Sequence, residues 1–121
     1  MGKITFINFW FESCHPCIAE LDGLSQMYDL LKDNKDFRYL SFSIDNDNAI
    51  SANVIKYKIP YAVYHLERDN CDKILCQGFP TSIIIDRNGK VIQLTSGGSI
   101  DIVKATKTVM EEIYPKILKE L

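Results

Sequence analysis

From Lys3 to Trp10 the chain reads Lys-Ile-Thr-Phe-Ile-Asn-Phe-Trp, and from Ile18 onward its apolar residues change to a spacing of three and four. The first pattern, β-branched or aromatic at nearly every position, suits a strand covered on both faces rather than an edge strand with one wet side. The second places Ile18, Leu21, Leu24, Tyr28 and Leu31 on one face, with Glu20, Asp22, Gln26, Asp29 and Lys32 mostly between them. That spacing predicts an amphipathic helix ending near Asn34. Phe37 to Ile44 then alternates with period two, which predicts a second strand. Strand, helix and strand in succession form a βαβ unit, whose right-handed crossover puts the two strands parallel in one sheet.

Asp45-Asn46-Asp47-Asn48 turns the chain and caps a predicted helix from about Ala49 to Tyr57, closed by Pro60. Tyr61 to Leu66 reads equally as a short strand or as none, and Glu67 to Cys76 as a polar loop or a short helix. Thr81 to Asp86, a turn with Asn88-Gly89 at its tip, and Val91 to Thr95 predict an antiparallel hairpin. Gly97-Gly98 breaks it, Ser99 is the expected N-cap, and Ile102, Ala105, Val109 and Ile113 line one face of a last helix that Pro115 ends or kinks. The expected fold is α/β, a mixed central sheet with helices on both faces.

With 121 residues and 46% hydrophobic composition, residues 1–121 suit one domain with one core. Fourteen basic against sixteen acidic residues leave a net charge of -2, so no positive field exists to hold a phosphate backbone, and nucleic acid is excluded as a general partner. The longest apolar run, Ile4 to Phe11, is far shorter than the roughly 20 residues of a membrane-crossing helix. A soluble monomer with no direct membrane insertion is therefore expected. The start lacks the pattern of a signal peptide and lies within three residues of the first strand, which leaves room for a missing leading segment.

Four cysteines are too few for a small disulfide scaffold, and two of them stand in Cys14-His15-Pro16-Cys17 between the first strand and the first helix. At or next to the helix N-cap, Cys14 meets unpaired backbone N–H groups and the positive end of the helix dipole, which favour thiolate over thiol. Cys14 is thus the predicted nucleophile. Cys17, one turn further on, is close enough to close a small ring with it and is the predicted resolving thiol. Pro16 suits the first turn because the N–H it lacks would be unpaired there. His15, as a cation, would stabilise the thiolate and make the disulfide more oxidising. Half of a zinc site is the competing reading, but His65, Cys71 and Cys76 do not supply the usual second pair. A c-type haem is excluded because Ile18, not histidine, follows Cys17. No cofactor and no metal is expected beyond the cysteines; the alternative is a metallochaperone-like module holding copper or zinc with His65 or His15 as a further ligand.

Phe9-Trp10-Phe11-Glu12-Ser13-Cys14-His15-Pro16-Cys17, Glu20, Gly78-Phe79-Pro80-Thr81 and the Asp86-to-Val91 turn together resemble the thioredoxin-like proteins, above all their TlpA/ResA branch. The resemblance runs from Gly2 to the last helix. It implies the three-layer thioredoxin-like fold and a thiol-disulfide oxidoreductase, more often a reductase, in which Cys14 attacks a partner disulfide and Cys17 resolves the mixed disulfide. It implies that Pro80 is cis against the pair, and that Trp10, Phe79, Pro80 and Thr81 belong to the substrate-binding region. Glu20 matches the branch's carboxylate, which relays a proton to or from Cys17; as a plain residue it reads equally as a first-turn acid complementing the helix dipole. The implied partners are proteins with disulfides or thiols and an upstream thiol-disulfide electron donor. The implied compartment is extracytoplasmic, the bacterial periplasm, with the cytoplasm as alternative. Ser13 and Asp22 depart from the branch, which usually has an aromatic or threonine and a proline there. Phe11 stands where peroxide-reducing relatives carry threonine or serine. Cys76 is expected as a small buried apolar residue, with a second redox pair to Cys71 as the lesser reading.

Overall fold

Among the described residues five strands form one sheet in the order β3-β2-β1-β4-β5, and β1 (Ile4–Trp10) is its centre. The computed structural model describes residues 2–73 and 78–121. The readings made for Cys71 and Cys76 concern side chains outside the described residues. β1 runs parallel to β2 (Phe37–Ser43), from Ile4 opposite Phe37 to Trp10 opposite Ser43, and antiparallel to β4 (Thr81–Ile85). β3 (Val63–His65) extends the sheet parallel to β2, and β5 (Val91–Ser96) closes the other side against β4. The ambiguous stretch after Pro60 therefore contains a three-residue strand, and α3 (Arg68–Lys73) follows it.

Burial on both faces explains the composition of β1. Ile4 and Phe6 pack under α1 (His15–Leu31) with Leu24, Met27, Leu31, Phe37, Ile84, Val109, Ile113 and Ile117. Phe9 lies on the opposite face with Ile83, flanked by Ile7, Phe42, Leu66, Phe79 and Ile85. The Arg68 guanidinium of α3 stands over the Phe79 ring at that face, 5.8 Å from its centroid. The polar interruptions are paired across strands: Asn8 Nδ2 donates to Ser82 Oγ at 3.0 Å, and Trp10 Nε1 to Ser41 Oγ at 3.0 Å. Buried polar groups so matched cost far less than unpaired ones.

Caps and turns follow local chemistry, with one correction. Asn46 Oδ1 accepts from Ala49 N at 2.8 Å and starts α2 (Asp47–Lys56). In the hairpin Asp86 Oδ1 accepts from the N–H groups of Asn88 and Lys90, both at 2.9 Å, and Gly89 takes the positive φ of 82° that the turn needs. Ser99 is not the cap of the last helix. Asp101 is, its carboxylate accepting from Val103 N and Lys104 N, while Ser99 Oγ accepts from Asp101 N and holds the approach.

Pro115 does not end the last helix either. α4 (Ile102–Thr108) leads into a π-helical turn (Val109–Ile113) and then α5 (Tyr114–Glu120). Ala105, Val109, Ile113 and Ile117 are buried at steps of four. In an ideal α-helix that line drifts about 40° per step, and a wider i→i+5 turn takes part of the drift back. The Tyr114 N–H reaches the Val109 carbonyl, so the hydrogen-bond register has already shifted where Pro115 cannot donate. Where α1 meets α4, a Cβ on Gly23 would sit 3.0 Å from Thr106 Cα and 3.2 Å from Val109 Cβ. Glycine is what lets these helices lie so close.

Candidate functional site

Cys14 is the N-cap of α1, with extended backbone (φ −87°, ψ 101°), and its Sγ accepts a hydrogen bond from Cys17 N at 3.3 Å. A sulfur at this position receives the donors that every helix start leaves unpaired, and no acidic side chain in the first turn of α1 competes with it. Pro16 lies in that first turn, and the Cys14 carbonyl accepts from Ile18 N at 3.1 Å. The two cysteines are joined as a disulfide with Cα atoms 5.2 Å apart. Cys14 is 7% exposed and Cys17 1%. Cys14 is thus the less deeply buried of the two.

Three separate segments, the start of α1, the turn before β4 and the loop after β5, converge beside the cysteine turn. The Phe79–Pro80 bond is cis and Pro80 is buried. A Cβ built on Gly98 would lie 3.5 Å from Pro80 Cγ, 3.7 Å from Pro16 Cβ and 3.9 Å from a Glu20 carboxylate oxygen. The proline expected against the cysteine turn and the expected carboxylate are thus brought together, and Gly98 is the meeting point that sequence reading missed. Gly97 N donates to Pro80 O at 2.8 Å and keeps the loop there.

Glu20 is not a first-turn acid of the surface. It is the sixth residue of α1 and 5% exposed, and among the described residues its Oε1 finds no hydrogen-bond partner. Burial pushes its carboxyl up to about 7. Tyr39 and Tyr61, ring centroids 4.4 Å apart, lie together, with Tyr28 edge-on to Tyr39 at 5.4 Å and tilted against Tyr61 at 5.5 Å. Burial, reinforced by the neighbouring Glu20 charge, holds both hydroxyls above the usual tyrosine range.

Trp10 is corrected as a substrate contact: it is 1% exposed and packs beneath the cysteine turn with Cys14, Cys17 and Leu21. Thr81 is likewise fully buried, its hydroxyl bonded to Gly78 O and shared with Ser96 Oγ. Both support the site from below. Phe79 is half-buried, with its ring edge-on to Phe11 at 5.1 Å, and His15 is exposed. The loop entering Cys14 is tied by a further set that no local pattern announces. Glu12 N donates to Asp45 Oδ2 at 2.9 Å, and Glu12 Oε2 accepts from Lys56 Nζ and Tyr57 Oη, both at 3.1 Å. Lys56 and Tyr57 hold the Glu12 carboxyl below its ordinary range.

His65 is engaged elsewhere, one ring nitrogen 2.7 Å from the Asp45 carbonyl and the other 2.9 Å from Glu67 Oε1. Those partners raise its pKa. Among the described residues no three His, Cys, Asp or Glu side chains are placed to hold a metal ion. Nor is any described helix long and apolar enough to cross a membrane.

Comparison with known proteins agrees with this geometry. Residues 2–91 match the family described as Thioredoxin-like. The thiol-disulfide oxidoreductase ResA of Bacillus thuringiensis is 31% identical over 123 residues, an alignment covering 96% of this chain and 64% of that protein. The chain thus spans just under two thirds of that relative. ResA of Geobacillus thermodenitrificans is 27% identical over 101 residues, covering 79% and 56%. Among solved structures, a thiol-disulfide oxidoreductase from Bacteroides fragilis superposes with a TM-score of 0.77 at 19% identity, over 99% of this chain and 82% of that one, a likeness of fold. A thiol:disulfide interchange protein from Bacteroides sp. gives 0.69 at 26% identity, over 93% and 76%.

Proposed function

Because the chain belongs to the thioredoxin-like family, we propose that it is a thiol-disulfide oxidoreductase acting on protein disulfides through Cys14 and Cys17, as a reductase. The observation that carries this reading is the unequal pair at the start of α1. Cys14 lies at the N-cap with its sulfur on a backbone N–H, and Cys17 is sealed beneath it.

In the reduced protein the Cys14 thiolate attacks one sulfur of a partner disulfide. A Cys14–partner bond forms, and the partner's second sulfur leaves as a thiolate that takes up a proton. Cys17 then loses its proton and attacks Cys14 Sγ. The Cys14–Cys17 disulfide closes and the partner's first sulfur is released, so that two electrons have passed to the partner. Glu20, buried beside Pro16 and Pro80 with a carboxyl near 7, is suited to take the Cys17 proton at neutral pH. Before it takes that proton, the ionised carboxylate is a negative charge that opposes accumulation of thiolate at the pair. That stabilises the disulfide relative to the dithiol and lowers the potential, which is why we read a reductase. The half-buried Phe79 and the backbone before Pro80 form the rim against which an extended partner segment lies. By the same family reading the protein works outside the cytoplasm and is recharged by an upstream dithiol donor.

Two measurements test this. A Cys17→Ala variant should accumulate a stable mixed disulfide at Cys14 when offered a protein disulfide, read by mass, while Cys14→Ser forms none. Equilibration in graded glutathione buffers should show one two-electron transition mapping to Cys14 and Cys17, nearer about −270 mV than about −120 mV. The absence of such a transition refutes the oxidoreductase reading, and a value near the upper figure refutes its direction.

A further inference from the structure

A groove of about 450 Å³ opens beside the cysteine turn, lined by His15, Ile18 and Ala19 of α1 and by Ile100 and Ile102 at the start of α4. Ile100 is 75% exposed, Ile102 54% and the adjoining Val103 75%. Among the described residues Leu30, Ile55 and Leu118 stand singly on other helices, and Val91 and Leu94 on β5 are less exposed, at 37% and 39%. Apolar side chains clustered in this way mark an interaction site.

The walls are fixed. Gly23 lets α1 lie against Thr106 and Val109, so the two helices cannot slide freely. Between them the loop at Gly98 touches Pro80 and Pro16, and the Ser99 and Asp101 bonds set the direction in which Ile100 and Ile102 project. These isoleucines are exposed by the construction of the cap.

What covers them follows from the exchange reaction. A partner sulfur reaches Cys14 only if the partner's backbone lies over the rim around it, and His15, the next residue, is part of the groove wall. Resting on the oxidoreductase reading, we propose that the groove receives an apolar side chain of the partner protein, carried on an extended segment within about three residues of its reacting cysteine. Apart from the His15 imidazole the lining is aliphatic and holds no acid, so a lysine or arginine entering there would lose water and find no anionic partner, whereas leucine, isoleucine or phenylalanine would bury freely. The groove thereby selects which disulfides are attacked.

The test uses the reduced full chain and peptides bearing one cysteine as its mixed disulfide with glutathione. They are made in pairs with leucine or serine two residues before, or two residues after, the cysteine. Each turnover forms one Cys14–Cys17 disulfide and releases one peptide thiol and one glutathione thiol. In the wild type the leucine peptide of at least one pair should react with a kcat/KM about 10-fold above its serine partner, the value of burying one such side chain. In an Ile100→Ser/Ile102→Ser protein, whose replaced side chains are both more than half exposed, that ratio should fall to within about twofold of unity. Equal rates for leucine and serine in the wild type, or an undiminished ratio in the variant, overturn the groove and leave the oxidoreductase reading standing. Failure to attack any of the peptides overturns both.

Discussion

Replacing Glu20 with glutamine should make the protein more stable at pH 8 and leave it nearly unchanged at pH 4.5. The carboxyl is 5% exposed and its Oε1 lacks a hydrogen-bond partner among the described residues, so the native state holds its proton to higher pH than the unfolded chain does. A folded-state value raised above the unfolded one means that stability is fully present below about 4.5 and is lost as pH rises through about 7. Between the ordinary 4.5 and about 7, at about 1.4 kcal/mol per pH unit, the loss amounts to about 3 kcal/mol. Glutamine matches the protonated shape and never ionises, so the variant escapes that loss. Urea unfolding of both oxidised proteins at half-unit steps from pH 4.5 to 8 isolates the term, because every other titrating group is common to both. The difference should rise from about 0 to about 3 kcal/mol, or about 10 °C in Tm for a domain of this size. A difference that stays flat across the range, or a Glu20 carboxyl titrating near 4.5 by NMR, refutes the reasoning.

Gly23→Ala should destabilise by about 1–3 kcal/mol although alanine is the better helix former, since its Cβ would meet Thr106 Cα at 3.0 Å; unchanged stability in urea would refute the close crossing of α1 and α4. Asp101→Ala should cost about 1 kcal/mol as a lost cap and Ser99→Ala less, and the reverse order in thermal unfolding would restore Ser99 as the cap. Ile113→Ala, at a 1% exposed position of the π-helical turn, should cost about 2–5 kcal/mol by denaturant titration; a cost under about 1 kcal/mol would mean that the turn does not present it to the core.

How far the chain could be read from its residues depended on the range over which each feature is determined. β1, α1, β2 and the hairpin announce themselves because period and turn chemistry act over a few neighbours: an unbroken apolar run, a three-four spacing, Asn88-Gly89 between two strands. The cysteine pair is legible for the same reason, since Cys14 and Cys17 are three apart and the helix start that Cys14 caps is itself a local event. The stretch after Pro60 was ambiguous because three-residue β3 exists only through its pairing with Ser41–Ser43 of β2.

Everything that depends on convergence was left to the fold. Pro80 and Gly98 are distant in the chain from Pro16 and Glu20 of α1, and only the sheet order that sets β4 beside β1 and α4 beside α1 brings them to one point. Glu20 as a letter is a solvated acid on a helix; buried in this structure, it is a carboxyl near 7. Trp10, placed by the resemblance in the substrate-binding region, is core in the sheet. A proline reads as a stop or a kink; of the two, the stop is absent, and the α4–α5 helix passes Pro115 through a π-helical turn with Val109, Ile113 and Ile117 packed in one cluster with Ile4 and Phe6. Sequence alone determined β1, α1, β2, the hairpin and the position of the cysteine pair at a helix start, whose causes lie among near neighbours. Tertiary structure decided the protonation of Glu20, the floor of the site and its apolar groove, because burial and electrostatic environment belong to packed elements and not to residues.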